Sequence, residues 1–324
     1  MRAIRFVALL ACLALAAPAA AQDADAILSA ILKVRSKIIP NARSVAALGA
    51  QREGTGILIR EDYVLTIGYL VIEAETVEVS NAAGRTVPAA VAGYDHASGF
   101  GLLRLLVPLD GTPLPLGNSS ALVEHDPVMI AAHGGRDGMG VARVVSRRPF
   151  SGSWEYLLDS AIFTYPPVTN WSGAALIGRQ GNLLGVGSLI VPDAASPGTQ
   201  SPGNMFVPID LLKPILEDLI DTGRAAGPVQ PWLGVNAEEH RGRLFVARVS
   251  PDGPAERAGL EPGDILVGVG DEEVSSLADF YRKVWSRGAA GVEVPLRVLQ
   301  GTQVRDISVR SMDRLDYFRH RASY

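Results

Sequence analysis

Five histidines, a single cysteine and two glycine-rich stretches are the places where metal, thiol or phosphate chemistry would have to reside in this 324-residue chain. His96, His125, His133, His240 and His320 show no ligand-like spacing with carboxylates, so no metal site is expected. Gly54-Thr55-Gly56 and Gly134-Gly135 lack the lysine and the strand-to-helix setting of a phosphate loop, and read as turn glycines. No cofactor is expected. Acid–base and nucleophilic chemistry is left. A serine hydroxyl becomes a useful nucleophile only when a neighbouring base takes its proton, and histidine suits that role because its unperturbed pKa lies near neutrality.

The elements that would position such a site begin after an export signal. Arg2 and Arg5 precede the apolar run Phe6 to Ala17, and Ala19-Ala20-Ala21 stand before Gln22, so residues 1–21 read as a cleaved signal peptide. Leu9-Leu10-Ala11-Cys12 superficially resembles a lipoprotein signal, but the apolar stretch before the cysteine is too short, which favours ordinary cleavage near Ala21 over lipidation. A mature chain without cysteine needs no disulfide, and no later apolar run is long enough to span a bilayer. The expectation is a soluble, exported protein, periplasmic if the source is Gram-negative and secreted otherwise.

Residues 22–43 form an N-terminal arm. Ile27, Leu28, Ile31, Leu32 and Val34 recur at helix-like spacing and predict a helix from Asp25 to Ile39, a cap or an oligomerisation arm. From Ser44 to about Val191, short apolar runs alternate with glycine-containing turns: Gly56–Ile59, Tyr63–Thr66, Thr76–Val79, Leu102–Leu105 and Val128–Ala131. Runs of this length predict a mainly β barrel or sandwich. Pro192 to Gly203 reads as a surface loop, and Asp210 to Arg224 as an amphipathic helix that closes a domain over residues 44–226. A second domain, 227–312, follows a short linker. It should hold strands at Leu244–Val249, Ile265–Val269 and Val292–Val298, with a helix opened by a Ser276/Asp279 capping box and running to about Trp285. Residues 313–324 are left as a C-terminal tail.

Two domains suit a chain of this length. A hydrophobic content of 48%, with 34 glycines and 21 prolines, fits a globular protein of short strands and turns. With a net charge of −4 and no basic block, nothing in the charge pattern supports a nucleic-acid partner.

Several segments, in the right order, resemble the HtrA family of exported serine proteases. Gly54–Ile59 followed by Tyr63-Val64-Leu65-Thr66 is similar to the strand pair before the family's catalytic histidine, but Thr66-Ile67-Gly68-Tyr69-Leu70-Val71 places Tyr69 at that position. Gly93-Tyr94-Asp95 and Phe100–Leu105 resemble the segment around the catalytic aspartate, where Gly99 now stands. Leu114–Ser119, Gly181–Val186 and Asn204–Ile209 support the register. The nucleophile segment resembles Asn170-Trp171-Ser172-Gly173-Ala174-Ala175-Leu176, which keeps Ser172 and the following glycine. The resemblance implies a trypsin-like double β-barrel, with Ser172 at the nucleophile position and an oxyanion hole from the Asn170 and Ser172 amides.

The second domain resembles bacterial PDZ domains, small β-barrels with helices, through Pro231-Trp232-Leu233-Gly234-Val235 and Pro254-Ala255-Glu256-Arg257-Ala258-Gly259-Leu260-Glu261-Pro262-Gly263-Asp264-Ile265-Leu266. The resemblance makes Trp232, Leu233, Gly234 and Val235 a carboxylate-binding loop, with Phe280, Tyr281 and Val284 as pocket lining or buried core. Peptide capture there would combine backbone amides with strand addition.

The chemistry departs from the family. A phenol with a pKa of about 10 is protonated at neutral pH and offers a donor where the reaction needs an acceptor. Gly99 removes the carboxylate that would orient the imidazole, and loss of the histidine alone in a comparable triad costs on the order of a millionfold in kcat. His96 is the nearest histidine in sequence to Gly99, with a solvated loop as its ordinary setting. Trp171 either fills the substrate pocket or anchors its loop in the core, the latter being favoured. Two readings stand. The first is an exported pseudoprotease that binds peptides, protein C-termini or unfolded proteins as a chaperone, scaffold or regulator in envelope quality control. The second is an active endopeptidase using Ser172 with a non-standard base. A homo-oligomer, or a mixed oligomer with an active paralogue, is the assembly either reading allows.

Overall fold

The computed structural model describes residues 24–319. The signal segment, Cys12 and His320 lie outside them. Six strands, β1 (Ile31–Ile38), β2 (Gln51–Leu58), β3 (Tyr63–Ile67), β4 (Ala74–Ser80), β5 (Thr86–Tyr94) and β6 (Phe100–Leu105), close a first barrel in the order β1-β2-β3-β6-β5-β4. Six more close a second: β7 (Pro127–Ala131), β8 (Met139–Gly152), β9 (Tyr156–Tyr165), β10 (Ala175–Ile177), β11 (Leu183–Val191) and β12 (Gly203–Pro208), ordered β10-β11-β12-β9-β8-β7. Closure leaves neither sheet an open edge, and inward residues such as Val34, Ile57, Leu65, Leu102, Ala175 and Val207 fill a core shared by both barrels.

The N-terminal arm differs from expectation. Only residues 24–29 are helical, and β1 takes the rest, paired to β2 on one side and β4 on the other. Barrel closure needs that strand, and the alternation Val34, Ser36, Ile38 points inward; a buried serine in the middle obscures the strand period in the sequence. The helix expected from Asp210 is also shorter. A single 3-10 turn at Ile209–Leu211 precedes α1 (Leu216–Thr222), because Pro214 has no amide to donate and disfavours helical backbone at Lys213. Gly223 ends α1 in left-handed conformation, φ 79°.

The third sheet follows the order β13-β14-β15-β17-β18, from β13 (Val235–His240), β14 (Arg243–Val249), β15 (Ile265–Val269), β17 (Glu293–Gln300) and β18 (Gln303–Arg310), with the short β16 (Glu272–Glu273) beside β15. Helix α2 (Leu277–Trp285) covers it. Ser276 caps α2 by accepting from the Asp279 amide, while the Asp279 carboxylate accepts from Ser275 rather than Ser276, so the capping box is displaced by one residue. The expected tail holds α3 (Arg314–Tyr317), which packs against both units.

Strands β8 and β9 run past the second barrel and end in a three-residue turn, Ser153 to Glu155, closed by the Gly152–Tyr156 pair. Glu155 occupies the left-handed position of that turn, φ 57°, where glycine is the usual residue. Leu157, just beyond, packs on the third sheet's core.

Candidate functional site

Ser172 sits on the turn between β9 and β10. Its carbonyl accepts from the Thr55 amide at 2.8 Å, which ties the turn to β2 in the other barrel. Gly173 is required next: its φ is +75°, and a Cβ there would fall 2.0 Å from the Thr55 carbonyl oxygen. Gly54 and Gly56 lie within β2 rather than in a turn, which corrects the sequence reading. A side chain on Gly54 would meet the Ser172 carbonyl at 2.8 Å, so close approach of the two barrels is what selects glycine. Gly134 and Gly135 do occupy a turn, both with positive φ.

The structure brings Tyr69 close to Ser172 from a different turn, and the expected acid position, Gly99, carries no side chain. Tyr69 lies on the 3-10 turn Gly68–Leu70 after β3, and its phenol donates to the Ser188 carbonyl at 2.8 Å. Burial pushes that phenol up to about 12, with the neighbouring Ser172 and Trp171 pulling the other way. Ser172 Oγ itself is buried beside the Tyr69 phenol, without a well-aligned hydrogen bond to it or to any other described residue. Gly99 is held with φ +83°; its carbonyl accepts from the Gly68 amide at 2.7 Å, and a Cβ would lie 3.2 Å from the Tyr156 hydroxyl. The aspartate's space is therefore bounded by Tyr156, whose hydroxyl donates to the Ser98 carbonyl.

Neither His133 nor His96 is hydrogen-bonded to Ser172. His133 Nδ1 meets Thr55 Oγ1 at 3.0 Å, and burial lowers its pKa. His96 is not the solvated loop residue expected from sequence. Its ring lies between the Tyr94 hydroxyl, the Glu155 carbonyl and the Arg314 guanidinium, and burial together with Arg314 holds its pKa well below the usual value. Asn170 is exposed. Trp171 is half-buried and belongs to no core cluster, contrary to the favoured expectation; it lines a cavity of about 560 Å3 between the barrels and the third sheet, together with Tyr69, Gly99, Trp154, Trp232 and Arg314.

The second constellation lies across that cavity. The amides of Leu233, Gly234 and Val235 all donate to the Glu155 carboxylate, at 2.9, 2.7 and 2.9 Å. Gly234, φ +81°, turns the backbone so that the three N–H groups converge. Beside them, the Ala237 amide donates to the Ser153 carbonyl at 3.1 Å, so the β8–β9 turn runs antiparallel along the free side of β13. From α2, the Tyr281 hydroxyl donates to the Gly152 carbonyl at 2.7 Å and accepts from the Glu155 amide at 3.1 Å. Phe280 and Val284 are fully buried in the core with Leu233 and Val235, and Trp232 packs against Tyr317 with the rings tilted and their centroids 4.6 Å apart.

Glu155 is 3% exposed. Burial raises its carboxyl to about 7, while the Leu233, Val235 and Gly234 amides and the Arg314 charge pull the other way. Arg314 reaches in from α3, donating to the Trp154 carbonyl at 2.9 Å and to His96. Sequence reasoning missed Glu155, Arg314 and Ser153. Their partners lie 59 or more residues away, and the one local signal was a short hairpin turn ending in a residue other than glycine.

Residues 54–186 match the trypsin-like peptidase domain family and residues 231–310 the PDZ domain family. A Haemophilus influenzae protein described as a probable periplasmic serine protease do/HhoA-like is 26% identical over 279 residues, 79% of this chain and 57% of that protein. Serine protease PepD of Mycobacterium tuberculosis is 31% identical over 293 residues, 82% of this chain and 62% of PepD. The periplasmic pH-dependent serine endoprotease DegQ of Escherichia coli is 26% identical over 273 residues, 79% of this chain and 58% of DegQ. The chain thus spans under two thirds of these relatives' lengths. Among solved structures, the HtrA-type protease AlgW with a decapeptide superposes with a TM-score of 0.55 at 20% identity, covering 93% of this chain and 99% of that one. The serine endoprotease of Yersinia pestis gives 0.52 at 21%, covering 90% and 97%. At these identities the structural likeness is one of fold.

Proposed function

Since the chain belongs to the HtrA family, a trypsin-like peptidase domain followed by a PDZ domain, we propose that it is a catalytically impaired, exported member that binds peptides or unfolded protein termini through the PDZ loop. The observation that carries this reading is a contrast: three backbone amides converge on one carboxylate at Leu233–Val235, while the Ser172 hydroxyl meets no acceptor. General-base catalysis needs a base within hydrogen-bond reach of the nucleophile. A tyrosine held protonated to about pH 12 and already donating to Ser188 supplies none. Carboxylate capture needs only oriented N–H groups.

No helix among the described residues is long and apolar enough to cross a membrane. Two of the three relatives are named as periplasmic, which supports an exported location; a role in protein quality control of the cell envelope goes with that reading. The loop is tested by calorimetric titration with excess decapeptides derived from unfolded envelope proteins. Peptides with a free C-terminus are expected to release heat, amidated ones none, and Gly234→Ala is expected to weaken binding. Equal heats from free and amidated peptides would contradict the reading.

A further inference from the structure

A carboxylate already lies in the PDZ loop, and it comes from the chain's own peptidase domain. We propose that the turn Ser153–Glu155 is a built-in ligand: the Glu155 carboxylate takes the place of a peptide's terminal carboxylate, the Ser153 carbonyl takes that of a strand added along β13, and an incoming C-terminus binds only when this turn withdraws. The inference rests on the peptide-binding reading of the loop given above.

Four observations carry it. Both halves of peptide capture are satisfied at once, the three amides by Glu155 and the edge of β13 by Ser153. Tyr281, on the helix that forms the other wall, bonds the turn at Gly152 and Glu155, so the turn fills the space between β13 and α2. Glu155 adopts a left-handed conformation that strains a non-glycine residue, and such strain persists only where the surroundings impose it. A glycine there would form the hairpin more readily, so the hairpin is not what selects a glutamate. Last, the turn is braced from behind by Arg314 on the Trp154 carbonyl, which fixes its approach. An incoming peptide offers the same carboxylate from unstrained backbone, which makes exchange feasible.

The test uses the full mature chain as wild type, Glu155→Gly and Glu155→Gln. The glycine variant removes the carboxylate and relieves the backbone strain, so its hairpin is expected to form; the glutamine variant keeps the bulk. Two readouts are taken: hydrogen exchange at the Leu233, Gly234 and Val235 amides, and fluorescence anisotropy with a pool of decapeptides randomised at their last three positions, as free acids and as C-terminal amides. The wild-type amides should be strongly protected; Glu155→Gly should lose that protection at all three, and Glu155→Gln, which keeps one acceptor oxygen but turns an NH2 toward an amide, should lose it in part. The free-acid pool should bind Glu155→Gly at least tenfold more tightly than wild type, with the amidated pool unchanged. Unprotected wild-type amides would overturn the inference without any variant. Equal affinity of wild type and Glu155→Gly for the free acids would overturn it while leaving peptide binding intact. Faster exchange in the variants without binding of either pool would keep Glu155 as the loop's occupant, overturn withdrawal for an incoming C-terminus, and overturn the peptide-binding reading.

Discussion

Tyr69 donates its phenolic proton to the Ser188 carbonyl, 2.8 Å away, and burial keeps that phenol protonated up to about 12, so the group beside Ser172 is a neutral phenol at neutral pH. On the proposed reading, impaired protease chemistry is built into the hydrogen bonding as well as into residue identity. It is also built into the backbone at Gly99, whose left-handed φ and proximity to Tyr156 leave no ready place for an aspartate.

Restoring the two missing side chains should not restore the enzyme. In Tyr69→His combined with Gly99→Asp, the aspartate incurs about 1–2 kcal/mol of left-handed strain and must displace the Tyr156 hydroxyl. Casein cleavage by the double variant is expected to stay at background, and its Tm is expected to fall by several degrees. Cleavage at a rate typical of related proteases would show that the site needed only those residues.

Gly173 tests whether the serine turn is structural. A methyl group there would lie 2.0 Å from the Thr55 carbonyl in a conformation that favours glycine. Gly173→Ala is expected to destabilise the peptidase domain by about 3 kcal/mol or more, read in urea unfolding, through overpacking and strain together.

The degree to which the sequence could be read varied with the range of the interactions. Strands β2, β3, β4, β6 and β7 announce themselves as apolar runs between turns, and Ser276 marks the start of α2 through a bond to a residue three positions on. Strand β1 hid because Ser36 faces inward among apolar residues, and the helix before the linker was overextended because Pro214 acts on the backbone rather than on the hydrophobic pattern. The site divides the same way. Tyr69, Gly99 and Ser172 could be located from segment order. His96 could not be placed, because Arg314, the group that buries and neutralises it, is 218 residues away. Glu155 carried no motif; only the meeting of two domains gives it a role.

Arg314 should prove to be a keystone of that meeting. Removing it in Arg314→Ala leaves the Trp154 carbonyl and His96 without their donor and takes a positive charge from beside Glu155. A loss of about 3 kcal/mol is expected from a thermal scan, and Arg314→Lys should rescue only part of it because one ammonium does not reproduce the guanidinium's fork.

Acidity should favour the fold at Glu155, because protonation removes the cost of burying its charge. The folded carboxyl, at about 7, lies above its unfolded value, so its share of stability is fully present below the unfolded pKa and is lost as pH rises through the folded one. His96 works in the opposite sense, since its lowered pKa makes the fold resist protonation, and Arg314, Tyr281 and Tyr94 complete the ionisable surroundings. Because His96 is common to both proteins, the stability difference between wild type and Glu155→Gln isolates the carboxyl. That difference should shift in favour of wild type by up to about 3 kcal/mol between pH 8 and pH 4.5. A difference independent of pH would mean that Glu155 does not titrate in this range.

The central claim is that Ser172 has no means of activation, and a serine-directed fluorophosphonate probe reports on that directly. Wild type and Ser172→Ala, incubated side by side, are expected to label equally weakly and to leave casein intact. Strong labelling that disappears in Ser172→Ala, accompanied by casein cleavage, would establish an active nucleophile and contradict the account.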